Sequence, residues 1–389
     1  MNNETIFPTP WLPSKFFGSN STQLSNQTKT LGLIYVFTPA GNITKRVLCV
    51  VSIFLGIMGF LGNCCIFYFL GKKPKRGVIQ TNRFVTNLNL YIRSLSLSDL
   101  LNSAVSAPLL CIQISFDVFQ RGWACKAVRY TNFVFSAATI NTLVVISIEK
   151  YLATRTVFRT VSTRSMRRMI IFAWLLGALF MLLPAATYDG TNVVLNDTHF
   201  TVLCKNNEHF FPFRVTWLIL PIQYILPGIF VTYVNLCLMK TVWDSGRRQV
   251  ATVTKRDFQA ELRLKKIRGT TLLVALTFSF IIPFFFFLGN IAYTQIAKPQ
   301  RDFTTDYAWR YGTGCVVYLS ALLNFAIYFV QVRSFRLFFI DLILCRRDDN
   351  NHLSDIVVSG EPAVTFKAKS GTQKREEEIT GIKFTNRTE

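Results

Sequence analysis

The chain has 389 residues, of which 50% are hydrophobic, 14% aromatic and only 16% charged. Its 36 Phe are far more than a water-soluble domain of this length carries. The formal charge of +22 would suit nucleic acid, but its placement excludes that partner, because the basic residues gather in short segments between long apolar runs.

In chain order the apolar runs are Val47–Leu70, Ser94–Phe116, Tyr130–Ile148, Met169–Thr187, Val215–Met239, Gly269–Ala297 and Tyr311–Val332. Only Ser94–Phe116 contains a charge, Asp99. About 20 apolar residues cross a bilayer as a helix. In lipid, only helices and closed barrels satisfy every backbone polar group. Barrel strands would alternate over about ten residues, whereas these runs are continuous and longer. The expected fold class is an all-α membrane protein, a seven-transmembrane helix bundle with a short amphipathic eighth helix.

With the N-terminus outside, 30 of the 43 Lys and Arg fall on the inner side. Basic residues in short loops stay in the cytoplasm, and anionic inner-leaflet lipid accounts for the excess. Lys45 and Arg46 argue weakly against this orientation and are outweighed by Lys72, Lys73, Lys75, Arg76 and Arg83. Glycosylation sequons at Asn3, Asn20, Asn26, Asn42 and Asn196 all fall outside. A sixth at Asn386 falls inside and is expected to stay bare. The first 30 residues lack a basic start and an apolar core, so no cleaved signal peptide is expected. The expected location is the plasma membrane, multi-pass, with an extracellular N-terminus. The expected division is a glycosylated extracellular segment over 1–46, a membrane domain over 47–345 and a polar, disordered cytoplasmic tail over 346–389.

Cys49, Cys64, Cys65, Cys111, Cys237 and Cys315 lie in the apolar runs or at their ends and read as small apolar residues. Cys125 and Cys204 face the oxidising side, where a bridge between them would pin the long loop over the bundle mouth. Cys345 follows an amphipathic segment on the inner side, a position suited to palmitoylation. No cysteine spacing suggests zinc, haem or a redox pair.

Several motifs stand in a fixed order. Gly62-Asn63 lies in the first run, and Leu95-Ser-Leu-Ser-Asp99 followed by Pro108 in the second. Trp123 and Cys125 precede the third run, which ends at Glu149-Lys150-Tyr151. Trp174 and Pro184 lie in the fourth, Pro227 in the fifth and Pro283 in the sixth. Asn324-Phe-Ala-Ile-Tyr328 lies in the seventh, and Phe335 opens an amphipathic stretch. This ordered set resembles the rhodopsin-like (class A) G-protein-coupled receptors, from about Val47 to Cys345. The resemblance implies a Cys125–Cys204 disulfide. It also implies an inner coupling surface of Glu149, Lys150, Tyr151, Asn324 and Tyr328. The partners it implies are an extracellular ligand, a heterotrimeric G protein, arrestin and the lipid bilayer, with no nucleic acid.

Several positions depart from the family. Lys150 stands for the family Arg, Ile281 for the sixth-helix Trp, Thr277 for a Phe, Phe325 for the Pro of NPxxY, Asn235 for a Tyr, and Arg263 for an acid. Lysine is a point charge that cannot reproduce the planar guanidinium fork. These departures put raised basal signalling, altered coupling and silence all within the expectations.

By resemblance, Asp99 with Thr139, Ser320 and Asn324 lines a pocket for an allosteric sodium ion, and oxygen donors suit such a hard cation. The competing reading is a protonated Asp99 hydrogen-bonded to Asn63 and Asn324. No other cofactor is expected. The ligand site implied by position comprises Gln113, Asn132, Phe133, Ser136, Phe284, Phe287, Gly314 and Tyr318. Asn132 stands where amine receptors carry Asp, and Tyr318 where opsins carry the retinal Lys, so neither an amine nor retinal is expected. A peptide or other medium-sized polar ligand is the expectation, and a basic excess on the outer loops tilts it toward negative charge.

The alternatives are a transporter or channel, or a receptor that signals poorly through G proteins. A transporter would show paired halves with broken helices, and no internal repeat is visible. An enzyme is not expected: the three histidines, His199, His209 and His352, all fall in predicted loops without a nucleophile or metal cluster nearby.

Overall fold

The structure, a computed structural model, describes residues 33–71, 83–120, 122–155, 161–207, 219, 221–250, 258–297, 299 and 301–344. Seven helices long and apolar enough to cross a membrane stand in it. α1 is Asn42–Gly71. α2 runs as Arg83–Leu101, a π-helical turn Asn102–Ser106, and Ala107–Ser115. α3 is Gly122–Arg155 and α4 is Thr163–Ala186. α5 opens with a π-helical turn, Pro221–Ile225, and continues as Leu226–Val250. α6 is Phe258–Ala297, α7 is Phe303–Gln331, and the short α8 is Arg333–Ile343.

At 1.5 Å per residue the 30 residues of α1 are long enough to cross a bilayer. Its buried stripe, Leu48, Ser52, Gly56, Gly59, Gly62, Asn63, Ile66 and Phe69, follows the three-to-four spacing of one helix face. Ile53, Phe54, Ile57 and Leu61 are exposed on the other side, as a lipid-facing surface requires. The helix starts at Asn42, several residues before the apolar run, so that sequon sits on the first helical turn and is exposed.

The π-helical turns precede Pro108 in α2 and Pro227 in α5. A proline offers no amide to the carbonyl four residues before it, and such bulges accommodate the mismatch. Polar ties fasten the bundle. They include Trp174 Nε1 to Ser94 Oγ at 3.0 Å, Asn141 Nδ2 to the Ala173 carbonyl at 3.2 Å, and Gln223 Nε2 to Asn141 Oδ1 at 2.9 Å. Tyr224 donates to the Phe133 carbonyl at 3.0 Å. Ser106 Oγ donates to the Thr131 carbonyl at 3.2 Å, and Asn63 Nδ2 to the Gly59 and Ala321 carbonyls at 2.9 and 3.0 Å. Asn87 Nδ2, donating to the Val161 carbonyl at 3.0 Å, pins the second inner loop to α2.

The all-α expectation misses a small outer sheet in which β1 (Ile34–Tyr35), β3 (His199–Asn206) and β2 (Tyr188–Asn196) lie in that order. β2 and β3 form an antiparallel hairpin, and β1 joins β3 in parallel. The β-branched residues of Thr191-Asn-Val-Val and of Thr201-Val favour strands on a pleated surface. His199 therefore lies in a strand, not a loop. The hairpin is bound to α3 through Cys125–Cys204, with 5.5 Å between the Cα atoms. Tyr35 reaches from β1 to the Asp117 carboxylate at the outer end of α2. Burial, and then Asp117 itself, push the Tyr35 hydroxyl up to about 12.

α8 carries Phe335 and Phe338 on its buried side. They pack on Phe69 of α1 at 5.5 and 5.3 Å, and Phe335 meets Tyr328 of α7 at 4.9 Å. This is the amphipathic eighth helix expected after Phe335.

Candidate receptor site

Three polar regions lie along the bundle, at the outer mouth, the mid-membrane and the inner end of α3. At the middle, Asp99 is 3% exposed and accepts a hydrogen bond from Asn324 Nδ2 at 2.6 Å. Asn324 Oδ1 in turn meets the Ser279 hydroxyl. One chain of side chains therefore joins α2, α7 and α6. Asn63 does not bond Asp99, because its amide nitrogen is committed to the Gly59 and Ala321 carbonyls and its Oδ1 is buried without a partner. Beside Asp99 is a cavity of about 10 Å³ bordered by Asn63, Ser96, Asn324 and Tyr328. That is room for about one water or small ion, and the Asp99 carboxylate and the orphan Asn63 oxygen suit a hard cation. Thr139 and Ser320 do not border it. Thr139 Oγ1 is within 2.7 Å of Ser98 Oγ and donates to the Phe135 carbonyl at 3.1 Å, and Ser320 donates to the Val317 carbonyl at 2.8 Å.

At the inner end of α3, Lys150 Nζ lies 2.8 Å from Glu149 Oε2 with both side chains almost wholly buried. Tyr151 is half-buried beside them and Tyr328 is buried under α8. The side chain of Arg263, on α6, lies outside the described residues.

At the outer mouth five of the eight expected lining residues fall into two groups. Phe284 stacks with Tyr224 and Phe280, at 4.6 and 5.4 Å, in the core cluster that also holds Phe133. Phe287 continues it at 6.1 Å. On the other side Tyr318 packs with Leu110, Ile114, Tyr307 and Tyr311. Gly314 faces Leu110, and a Cβ there would make ordinary contact at 4.0 Å. Ser136 and Gln113 are buried and Asn132 is half-buried. Both amide atoms of Gln113 and the Asn132 Oδ1 lack hydrogen-bond partners. A separate cavity of about 330 Å³ opens between the outer ends of α6 and α7, against Phe286, Trp309, Gly312 and Val316, and none of the eight borders it.

Two residues that the sequence motifs pass over matter here. Ser279 sits four before Pro283, between Phe278 and Phe280. Arg129 lies one turn after Cys125 and three residues before Asn132, a spacing that puts all three on one face of α3. Asn3, Asn20, Asn26, Cys345, the tail 346–389 and the side chain of Asn196 lie outside the described residues.

Seven membrane-crossing helices, a disulfide-pinned outer hairpin, a buried acid–amide chain and an inner ion pair stand together in this chain. Residues 77–328 match the family described as 7 transmembrane receptor (rhodopsin family), and the chain belongs to it. It is similar to galanin receptor 2a of Danio rerio, 28% identical over 172 residues that cover 42% of this chain and 45% of that one. It is also similar to the Gq-coupled rhodopsin of Mizuhopecten yessoensis, 25% identical over 60% of this chain and 48% of that one. A third relative is the probable G-protein coupled receptor 19 of Homo sapiens, 25% identical over 62% of this chain and 54% of that one. The chain spans about half the length of these curated relatives.

Proposed function

We propose that the protein is a plasma-membrane receptor with its N-terminus outside, and that it converts the binding of an outside ligand into exchange on an inner heterotrimeric G protein. The observation that carries this reading is the Asp99–Asn324–Ser279 chain. It couples three helices midway between an outer mouth with unpartnered polar groups and the inner Glu149–Lys150 pair. A tie of this kind has two discrete arrangements, made or broken, and that is what a switch between two global states needs. A ligand that binds one state better shifts the population toward it.

The ligand is a peptide or other medium-sized polar molecule bound between the Gln113–Tyr318 side and the Phe133–Phe284 side. A sodium ion would be held by Asp99 together with the Asn63 oxygen and would favour the resting state. Glycans on Asn3, Asn20, Asn26, Asn42 and Asn196 and a palmitoyl chain on Cys345 belong to the same reading, with arrestin as a further inner partner. Guanine-nucleotide exchange on purified heterotrimers, measured with the receptor in nanodiscs, tests it. Exchange above the receptor-free rate is expected, and no exchange with any heterotrimer family would overturn it.

A further inference from the structure

Buried polar groups in native proteins nearly always find partners. In the outer half of this bundle several do not: both amide atoms of Gln113 on α2, Nε of Arg129 and Oδ1 of Asn132 on α3, and the hydroxyl of Tyr307 on α7. Gln113 is 3% exposed and Tyr307 is 4% exposed. The contact of Gly314 with Leu110 sets the relative height of α7 and α2. Gln113 lies one turn outward of Leu110, and Tyr311 and Tyr307 lie one and two turns outward of Gly314. Arg129 is within electrostatic reach of Tyr311, one turn outward of Gly314. From above, Tyr188 of the hairpin covers Arg129, with the ring centroid 5.1 Å from its guanidinium carbon.

Arg129 is a permanent cation, and among the described residues no carboxylate pairs with it. Four outer carboxylates among the described residues are occupied elsewhere, and Glu4 and Glu208 lie outside those residues. Asp117 accepts from Tyr35 and, at 2.6 Å, from Gln120. Asp189 accepts from the Gly190 amide at 2.9 Å. Asp302 caps α7 through the Thr305 amide at 3.0 Å, and Asp306 pairs with Arg310 at 3.4 Å. A half-buried guanidinium roofed by an aromatic ring, in an outer half that also holds an unpartnered amide on α2, is a donor set in search of an acceptor.

We propose that the outer site binds a ligand through a carboxylate, with Arg129 as its charged anchor and the unpartnered Gln113 amide as a neutral donor. This rests on the receptor reading above and names the ligand chemistry that it leaves open. The guanidinium fork matches the two oxygens of a carboxylate. The absence of an acid at Asn132 keeps the field positive there. Cation–π contact with Tyr188 lets the hairpin close over the bound acid without supplying a competing anion. The carboxylate can come from a free organic acid or from the C-terminus of a peptide.

The full-length receptor in nanodiscs is titrated with 4-phenylbutyrate, oleate and the tetrapeptide Ala-Ala-Leu-Phe, each beside its terminal amide. Thermal stabilisation and direct binding are the readouts. A free acid is expected to raise the melting temperature where its amide does not. Arg129→Gln should weaken that acid by tenfold or more, and Arg129→Lys should keep part of the affinity. Stabilisation by oleate or phenylbutyrate alone assigns a free organic acid, and by the tetrapeptide alone a peptide C-terminus. Equal effects of acid and amide, an unaltered acid effect in Arg129→Gln, or no acid effect at all would each overturn the proposal. If Arg129 merely fastens the hairpin, Arg129→Gln lowers the ligand-free melting temperature and leaves the acid–amide difference intact. Nucleotide exchange is measured separately, so acid binding without exchange sinks the receptor reading alone.

Discussion

Gly62 faces Phe325, and a methyl group there has nowhere to go. A Cβ built on Gly62 lies 2.5 Å from Cγ of Phe325 and 2.8 Å from its Cβ and Cδ2. Favourable carbon contacts lie at about 3.5–4.0 Å, so α1 and α7 must part by roughly 1 Å or the ring must leave its rotamer. The obstructing atoms are the root of the side chain, which cannot swing aside. The ring is also held by Phe329 at 6.0 Å, Phe335 at 6.1 Å and Phe339 at 5.3 Å. Gly62→Ala should therefore cost about 1–3 kcal/mol, the usual penalty of overpacking. At about 2–4 °C per kcal/mol, that is a readily measured fall in the apparent Tm of the detergent-solubilised receptor. Phe325→Ala alone should cost about 3–5 kcal/mol through the lost ring. In Gly62→Ala/Phe325→Ala the Cγ and Cδ2 contacts are gone and only the 2.8 Å contact with the remaining Cβ at position 325 persists, so the double variant should be more stable than the two single losses added together. Strict additivity, or an unchanged Tm for Gly62→Ala, would refute the close approach.

Replacing Cys125 or Cys204 by Ser should remove a contribution of about 2–4 kcal/mol and cut surface expression; two thiols open to alkylation in the intact protein would sink the bridge. Asp99→Asn keeps the shape of the pocket and removes its charge. If sodium sits there, raising sodium should stabilise the wild type thermally and not the variant, and equal responses would return Asp99 to packing alone. Lys150→Arg should strengthen nucleotide exchange, because the fork regains bidentate contacts. Glu149→Gln strips the buried Lys150 of its neighbouring charge and should raise basal exchange, a tenfold population change needing only about 1.4 kcal/mol. Silence of wild type and both variants in every G-protein reporter would point to arrestin, with Ser359, Thr365, Ser370 and Thr372 as phosphorylation sites to examine.

The spans were legible because a water-soluble fold has little use for uninterrupted apolar runs as long as a bilayer is thick. Their ends were not. Apolarity marks the thickness of the bilayer, whereas hydrogen bonding carries α6 back to Phe258, through charged turns the lipid never touches. The hairpin was written only in short β-branched stretches within a connection between two spans. At the site, the motif residues Asp99, Asn324, Glu149 and Lys150 meet as their spacing suggests. Arg129 and Ser279 were visible only as single polar positions near or within apolar runs. What marks them is the absence of a carboxylate partner among the described residues for Arg129 and a cross-helix partner for Ser279, and both are facts of three dimensions.

The cross-helix contacts also show where this bundle can yield. α7 runs unbroken from Phe303 to Gln331, because Phe325 supplies the amide that a proline would withhold. Its inner end is bound to α8 through Phe325, Tyr328, Phe335 and Phe339. α6 is different. Pro283 withdraws the amide that would have bonded the carbonyl of Ser279, so the helix is softest at that residue. Ser279 is also the residue whose hydroxyl meets Asn324, and through it Asp99. The hinge and the latch therefore share one position. Ile281 offers no aromatic lever where relatives of this class carry Trp, so a motion of α6 must be registered in the polar chain itself. On the receptor reading proposed above, breaking the Ser279–Asn324 contact is expected to free the inner half of α6 while α7 and α8 stay together.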